Sequence, residues 1–180
     1  MASSQLPKLT QVLELCLCLS RPRPLTELPQ PRARLTRSAT PTPADARSLP
    51  QAIDFYANTL RIGPPVLSTE RLAVFPLGQT TLILFQRGGT TADTPMPHAG
   101  LIPGHGLPPT AEMDKVDLRT HFCLAVEKRE DVDVWEHELR DKGVKIVGHV
   151  EWPKGGKSVY FEDVDRHVGE IASRGIWPHW

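Results

Sequence analysis

Apolar and polar residues alternate strictly through residues 11–19, QVLELCLCL: Leu13, Leu15, Leu17 and Leu19 on one side, Glu14, Cys16 and Cys18 on the other. A period of two is that of a strand with two unlike faces. One face suits packing on a helix, and the other offers a carboxylate and two thiols. A carboxylate inside such a strand is costly to bury without a partner, which marks out Glu14.

From residue 48 the period becomes helical. Ser48 can cap a start, Pro50 suits the first turn and Gly63 can end the helix, while Leu49, Ile53, Tyr56 and Leu60 share one face. Residues 72–77 and 80–86 then read as two strands of a hairpin split at Gly78. Alternation returns at 120–126, with Thr120, Phe122, Leu124 and Val126 opposite His121, Cys123 and Ala125. Asp131 can cap a helix over 131–142 that turns Val132, Trp135 and Leu139 inward and ends at Gly143. Residues 144–150, 157–161 and 168–172 supply three short strands.

Strand, helix and further strands therefore occur twice in one chain, an internal repeat. Overlaying ELCLCL on HFCLAV matches Glu14 with His121 and Cys16 with Cys123. Overlaying the last strands sets Ile83, in TLILF, against Glu170. The inner faces then offer Glu14, His121 and Glu170 with an apolar fourth position. Imidazole and carboxylate both bind divalent metals, and strands hold such side chains rigidly.

Composition changes this picture in a few places. With 39% hydrophobic and 23% charged residues the chain can build a core. Lysine plus arginine equal aspartate plus glutamate at 21 each, which gives no support for a nucleic-acid or membrane-surface partner. No apolar run approaches the roughly 20 residues of a membrane span. The apolar run at 12–19 is broken by Glu14 and makes a poor secretory signal. Three cysteines make no disulfide framework, and reduced, buried thiols in a cytoplasmic protein are the expectation. Residues 21–50 hold seven prolines and six arginines against two acids, about +4, and proline at that density blocks helix and sheet. That stretch reads as a disordered insertion at about 20–48. Residues 87–117 read as a second loop, carrying His98 and His105 as solvated side chains.

Four pieces resemble one known family: AIDFYANTLRIG, THFCLAV, DVWEHELRDKGVKI and GGKSVYFEDVDRHVGEIAS, with FxDxDxHxxE from Phe161 to Glu170 the most specific. They resemble the vicinal-oxygen-chelate superfamily of glyoxalase I, fosfomycin- and bleomycin-resistance proteins and extradiol dioxygenases. The resemblance implies an α+β fold of two tandem βαβββ modules whose curved sheets share a cleft. The first module would span 11–86 with its insertion, 87–117 would be the connecting loop, and 118–177 the second module. It also implies a divalent metal held by strand residues, here His121, Glu170 and, where many members have histidine, Glu14. Ile83 stands at the fourth ligand position, and Val164 and Arg166 replace the proline and glycine common in the turn before the last ligand.

Two carboxylates and an imidazole suit Zn²⁺, Fe²⁺, Mn²⁺ or Ni²⁺. Such a site would polarise vicinal oxygens of a small substrate, with Glu14 or Glu170 free to act as base in a lyase, isomerase or dioxygenase reaction. The alternative is a metal-free binding protein of the bleomycin-resistance type, or an inactive relative. Cys16, Cys18, Cys123, Trp152 and Tyr160 would then line a site for an aromatic or amphiphilic molecule. Either reading makes a small molecule the partner and allows a homodimer. His167 is placed to brace Glu170 from behind. The hairpin at 152–157 could bring Lys154 or Lys157 to an anion, although solvated lysines are the plainer reading, and His137 and His149 belong on solvent faces.

Overall fold

The computed structural model describes residues 6–9, 48–78, 80–105 and 119–177 together with the backbone of 12–14. Ten strands and two α-helices occur among these residues. Strands β1 (Val12–Glu14), β7 (His121–Ala125), β8 (Ile146–Glu151), β9 (Lys157–Glu162) and β10 (Val168–Ala172) form one sheet in the order β1-β7-β10-β9-β8. Strands β2 (Leu67–Ser68), β3 (Leu72–Leu77) and β4 (Thr80–Phe85) form a second. A small hairpin, β5 (Thr94–Met96) and β6 (Gly100–Ile102), stands apart.

The repeat is therefore distributed five strands to three rather than four to four. The first strand hydrogen-bonds to β7 and lies at the edge of the second half's sheet, antiparallel, with Val12 against Leu124 and Glu14 against Cys123. The rest of the alternating stretch, from Leu15 to the end of the Pro/Arg-rich insertion, lies outside the described residues. The segment read as a plain loop after residue 87 contains the β5–β6 hairpin. Arg71 holds it through Thr94 Oγ1 at 2.9 Å, and Asp93 Oδ1 accepts the Gly104 N–H at 2.7 Å. Short polar and proline-rich strands of this kind give too weak a period to be read in advance.

Helix α1 (Leu49–Asp54) begins at Ser48, as its extended backbone and the following proline require. The Ser48 hydroxyl bonds the Gln51 side chain at 3.1 Å instead of capping a backbone N–H. Its continuation, Phe55–Thr59, widens into a π-helical turn closed by the Leu60 N–H on the Phe55 carbonyl at 3.0 Å. Such a turn inserts one residue into the helical period. Consecutive Phe55 and Tyr56 are thereby both buried, while Ile53 is only half-buried.

Helix α2 (Arg129–Asp141) starts two residues before the expected Asp131 cap. Asp131 sits in the third helical position, where its carboxylate accepts the Lys128 N–H at 3.1 Å. Gly143, at φ 72°, ends the helix in the left-handed conformation that glycine adopts at least cost. Val132, Trp135 and Leu139 are all buried, each contributing about 1.5–3 kcal/mol of apolar transfer. The Trp135 indole N–H donates to the Pro7 carbonyl at 2.9 Å, tying the amino-terminal segment to α2.

One core joins both halves. The Tyr56 ring lies 5.8 Å from that of Phe122, and Phe55 lies 6.3 Å from Phe161. The first half's helical segment thus rests on the second half's sheet. The inward residues of that sheet, Phe122, Leu124, Val159, Phe161 and Ile171, belong to the same core, and α2 packs on the sheet as well. The opposite face of that sheet is left for chemistry. No helix among the described residues is long and apolar enough to cross a membrane.

Candidate functional site

Strands β7 and β10 run parallel, with His121 in register with Val168 and Cys123 in register with Glu170. Phe122 and Leu124 point into the core, so His121 and Cys123 take the other face by strand alternation. Gly169 and Ile171 likewise face the core, which puts Glu170 beside His121. On the next strand, Tyr160 stands directly opposite Glu170.

The resulting contacts are specific. His121 Nε2 lies 3.2 Å from Glu170 Oε2, and the Tyr160 hydroxyl donates to Glu170 Oε1 at 3.0 Å. The Glu170 side chain is only 7% exposed and that of His121 37%, so the pair has a sheltered carboxylate and an accessible imidazole. A buried carboxylate persists because its oxygens are partnered. Burial and then the Glu170 charge push the Tyr160 phenol above its ordinary value, which keeps it a hydrogen donor. The His121 and Tyr160 rings lie 6.1 Å apart, and Cys123 is buried in register with Glu170. The Trp152 indole N–H donates to Ser158 Oγ at 2.8 Å on the same sheet.

A divalent cation can be tested against these atoms. Two ligands each about 2.1 Å from one ion stand about 3.0–3.4 Å apart, depending on the angle between them. The 3.2 Å separation of Nε2 and Oε2 fits. A third ligand is needed, and no group of three His, Cys, Asp or Glu comes together among the described residues. The backbone supplies a position for one. The register of β1 shifts between Val12 and Glu14, a bulge that sets Glu14 against Cys123 instead of Phe122. Glu14 thus holds a register position belonging to the His121 and Glu170 face.

The other expected residues divide clearly. Cys16 and Cys18 lie outside the described residues. Ile83 is half-buried on β4 and pairs with Val74 in the other sheet. Lys157 turns to α2, where it meets Asp133, with Glu151 at 3.5 Å, so it does not serve the site; Lys154 is exposed in its turn. His105 packs its ring on Phe85 at 5.3 Å, and His98 is exposed. His137 and His149 are surface residues paired with Asp141 and Glu136. His167 bonds Thr120 instead of bracing Glu170.

Sequence reasoning missed the polar link beneath the site. The Tyr56 hydroxyl donates to Asp163 Oδ2 at 2.9 Å, a buried bond between the two halves. The Asp in FxDxDxHxxE was the available signal, but nothing in the alternation pairs it with a helix residue a hundred positions earlier. A groove of about 490 Å³ lies nearby, between Phe55, Lys142 and Arg166, and is not lined by His121, Tyr160 or Glu170. Its floor carboxylate, Asp163, has both oxygens occupied. The chemistry therefore rests on the His121–Glu170 geometry and not on that groove.

The family model for the Glyoxalase/Bleomycin resistance protein/Dioxygenase superfamily matches residues 46–171. Among solved structures, a lactoylglutathione lyase from Agrobacterium tumefaciens aligns with a TM-score of 0.60 at 26% identity. The alignment covers 72% of this chain and 88% of that one. A glyoxalase-related enzyme from Fulvimarina pelagi aligns with a TM-score of 0.50 at 17% identity, over 73% of this chain and 84% of that one. No curated protein matches the chain.

Proposed function

The chain belongs to the Glyoxalase/Bleomycin resistance protein/Dioxygenase superfamily, and from that premise we propose a divalent-cation-dependent lyase or isomerase acting on a small molecule with vicinal oxygens. The observation that carries this reading is the 3.2 Å approach of His121 Nε2 to Glu170 Oε2, with Tyr160 holding the other carboxylate oxygen at 3.0 Å. The resemblance to a lactoylglutathione lyase supports proton-transfer chemistry over oxygenation.

His121 and Glu170 would hold the ion, with Glu14 as the third ligand. A bound divalent cation supplies positive charge against the oxyanion that develops when a proton leaves the neighbouring carbon. Glu170 would first have to give up its hold on the ion at Oε2; it could then take that proton there and return it to the adjacent carbon, so no net acid or base is consumed. Tyr160 keeps the carboxylate from rotating by donating to Oε1 throughout. The sheet's aromatic residues, Trp152 and Tyr160, shield one side of the substrate from water. The division into halves at 11–86 and 118–177 belongs to the same proposal.

Metal analysis tests it directly. The protein loaded with Zn²⁺, Mn²⁺, Ni²⁺ or Fe²⁺ should retain about one equivalent of at least one of these, Glu170→Ala should retain none, and Tyr160→Phe should bind about tenfold more weakly. Failure of every ion to bind stoichiometrically, or equal retention by Glu170→Ala, would overturn the proposal. A metal-free binding protein is the second reading, favoured by the closed Tyr160–Glu170–His121 hydrogen-bond chain. Under it, aromatic ligands raise Tm equally with and without chelator.

A further inference from the structure

The turn between β9 and β10 is held by a buried set of hydrogen bonds. Asp163 Oδ1 accepts the N–H groups of Asp165 and His167 at 2.9 and 2.8 Å. The backbone closes the same turn, with Asp163 N–H on the His167 carbonyl at 3.0 Å. Oδ2 receives the Tyr56 hydroxyl from the π-helical turn. The first half of the chain therefore grips the loop that delivers Glu170.

His167 passes that grip to the other strand. Its ring is 1% exposed, with Nδ1 2.9 Å from Thr120 Oγ1 and 3.3 Å from the Thr120 backbone nitrogen. A backbone N–H can only donate, so Nδ1 is the acceptor there. The Thr120 carbonyl in turn accepts the Val168 N–H at 2.8 Å. Thr120 is thus fastened through both of its backbone groups to consecutive residues, His167 and Val168. This is the first rung beneath the parallel ladder that places His121 beside Glu170. Parallel pairs are bonded less strongly per residue, and strand ends fray first.

The histidine pays something for this. Its Nε2 is buried without a hydrogen-bond partner among the described residues, a defect that costs about 1–3 kcal/mol. A leucine would fill similar space without that defect, so what the imidazole contributes is the Nδ1 acceptor.

We infer that His167 is a positioning residue for the His121–Glu170 pair, acting through Thr120 and anchored by Asp163 and Tyr56. The inference rests on reading that pair as the functional site. His167→Leu removes the acceptor, whereas His167→Asn restores an acceptor oxygen near the Nδ1 place. Leu139→Ala, in the buried face of α2, serves as a control that lowers stability without touching the rung.

Two readouts separate positioning from plain stability. One is the His121 imidazole resonance in the metal-free protein, assigned by its loss in His121→Gln; the other is Co²⁺ affinity from visible absorption. His167→Leu should shift the resonance and weaken Co²⁺ binding about 10–100-fold. His167→Asn should restore both, and Leu139→Ala should lower Tm while changing neither. The inference is overturned if both readouts simply follow Tm across the set, or if Asn does no better than Leu. Should His167→Leu fail to fold, Tyr56→Phe takes its place, with a smaller shift of the same resonance expected and no shift counting against the inference. If the unaltered protein binds neither Co²⁺ nor any of the four ions named above, the proposed function is refuted instead, and the resonance still decides the positioning role.

Discussion

Adding one methyl group at Gly169 should be among the most damaging small changes available to this protein. Gly169 lies in the middle of β10 and pairs with Phe161 across the ladder. A Cβ built there would stand 2.3, 2.5 and 2.7 Å from three carbons of the Phe161 ring. Real contacts of that kind do not fall below about 3.4 Å without displacement. The ring cannot simply swing aside, since Phe161 is fully buried and meets Phe122 edge-on at 5.8 Å. Overpacking of this kind costs about 1–3 kcal/mol, and the immobility of Phe161 places Gly169→Ala at the upper end, about 3 kcal/mol. The clash also predicts non-additivity. Phe161→Leu alone leaves a cavity worth about 1–3 kcal/mol, but it also makes room for the new methyl, so the double variant should be at least about 1 kcal/mol more stable than the sum of the singles. Urea unfolding followed by tryptophan fluorescence gives the midpoints, with m expected to stay constant. A Gly169→Ala protein within about 0.5 kcal/mol of the original, or additive singles, would refute the packing argument.

The turn before Glu170 offers two more tests. Arg166 adopts a left-handed φ of 69° where a glycine would be unstrained, so Arg166→Gly should raise stability by about 1 kcal/mol, read as a higher urea midpoint, with an unchanged or lower midpoint counting against strain. Burial raises the Asp163 carboxyl above its ordinary value despite the hydrogen bonds it accepts. A group with a raised folded pKa contributes stability that is fully present below its unfolded value, near 3.9, and lost as pH rises through the folded one. The unaltered protein should therefore gain on Asp163→Asn as pH falls from 7 to 4, and the opposite slope in paired urea titrations would contradict the assignment.

Much of this architecture was legible because its signals are local. The alternation of residues 120–126 correctly separates Phe122 and Leu124, now buried in the core, from His121 and Cys123 on the other face. The 168–172 strand was fixed by the same rule. What escaped were several features made by partners distant in sequence. The β1–β7 pairing depends on a bulge that no side-chain pattern announces. The role of Tyr160 could be named only as contact with ligand, because its opposition to Glu170 is a matter of register. The sequence suggests that His167 braces Glu170, yet it bonds Thr120, which lies next to the other member of the pair.

The parallel pairing of β7 with β10 has a kinetic side. His121 and Glu170 become neighbours only after α2 and the β8–β9 hairpin have been laid between them. Contacts of such long sequence separation form late, since loop closure precedes any gain from them. An ion or substrate that needs both side chains has nothing to bind until folding is nearly complete. Such a ligand would leave the folding rate almost unchanged and act by slowing the escape from the native state.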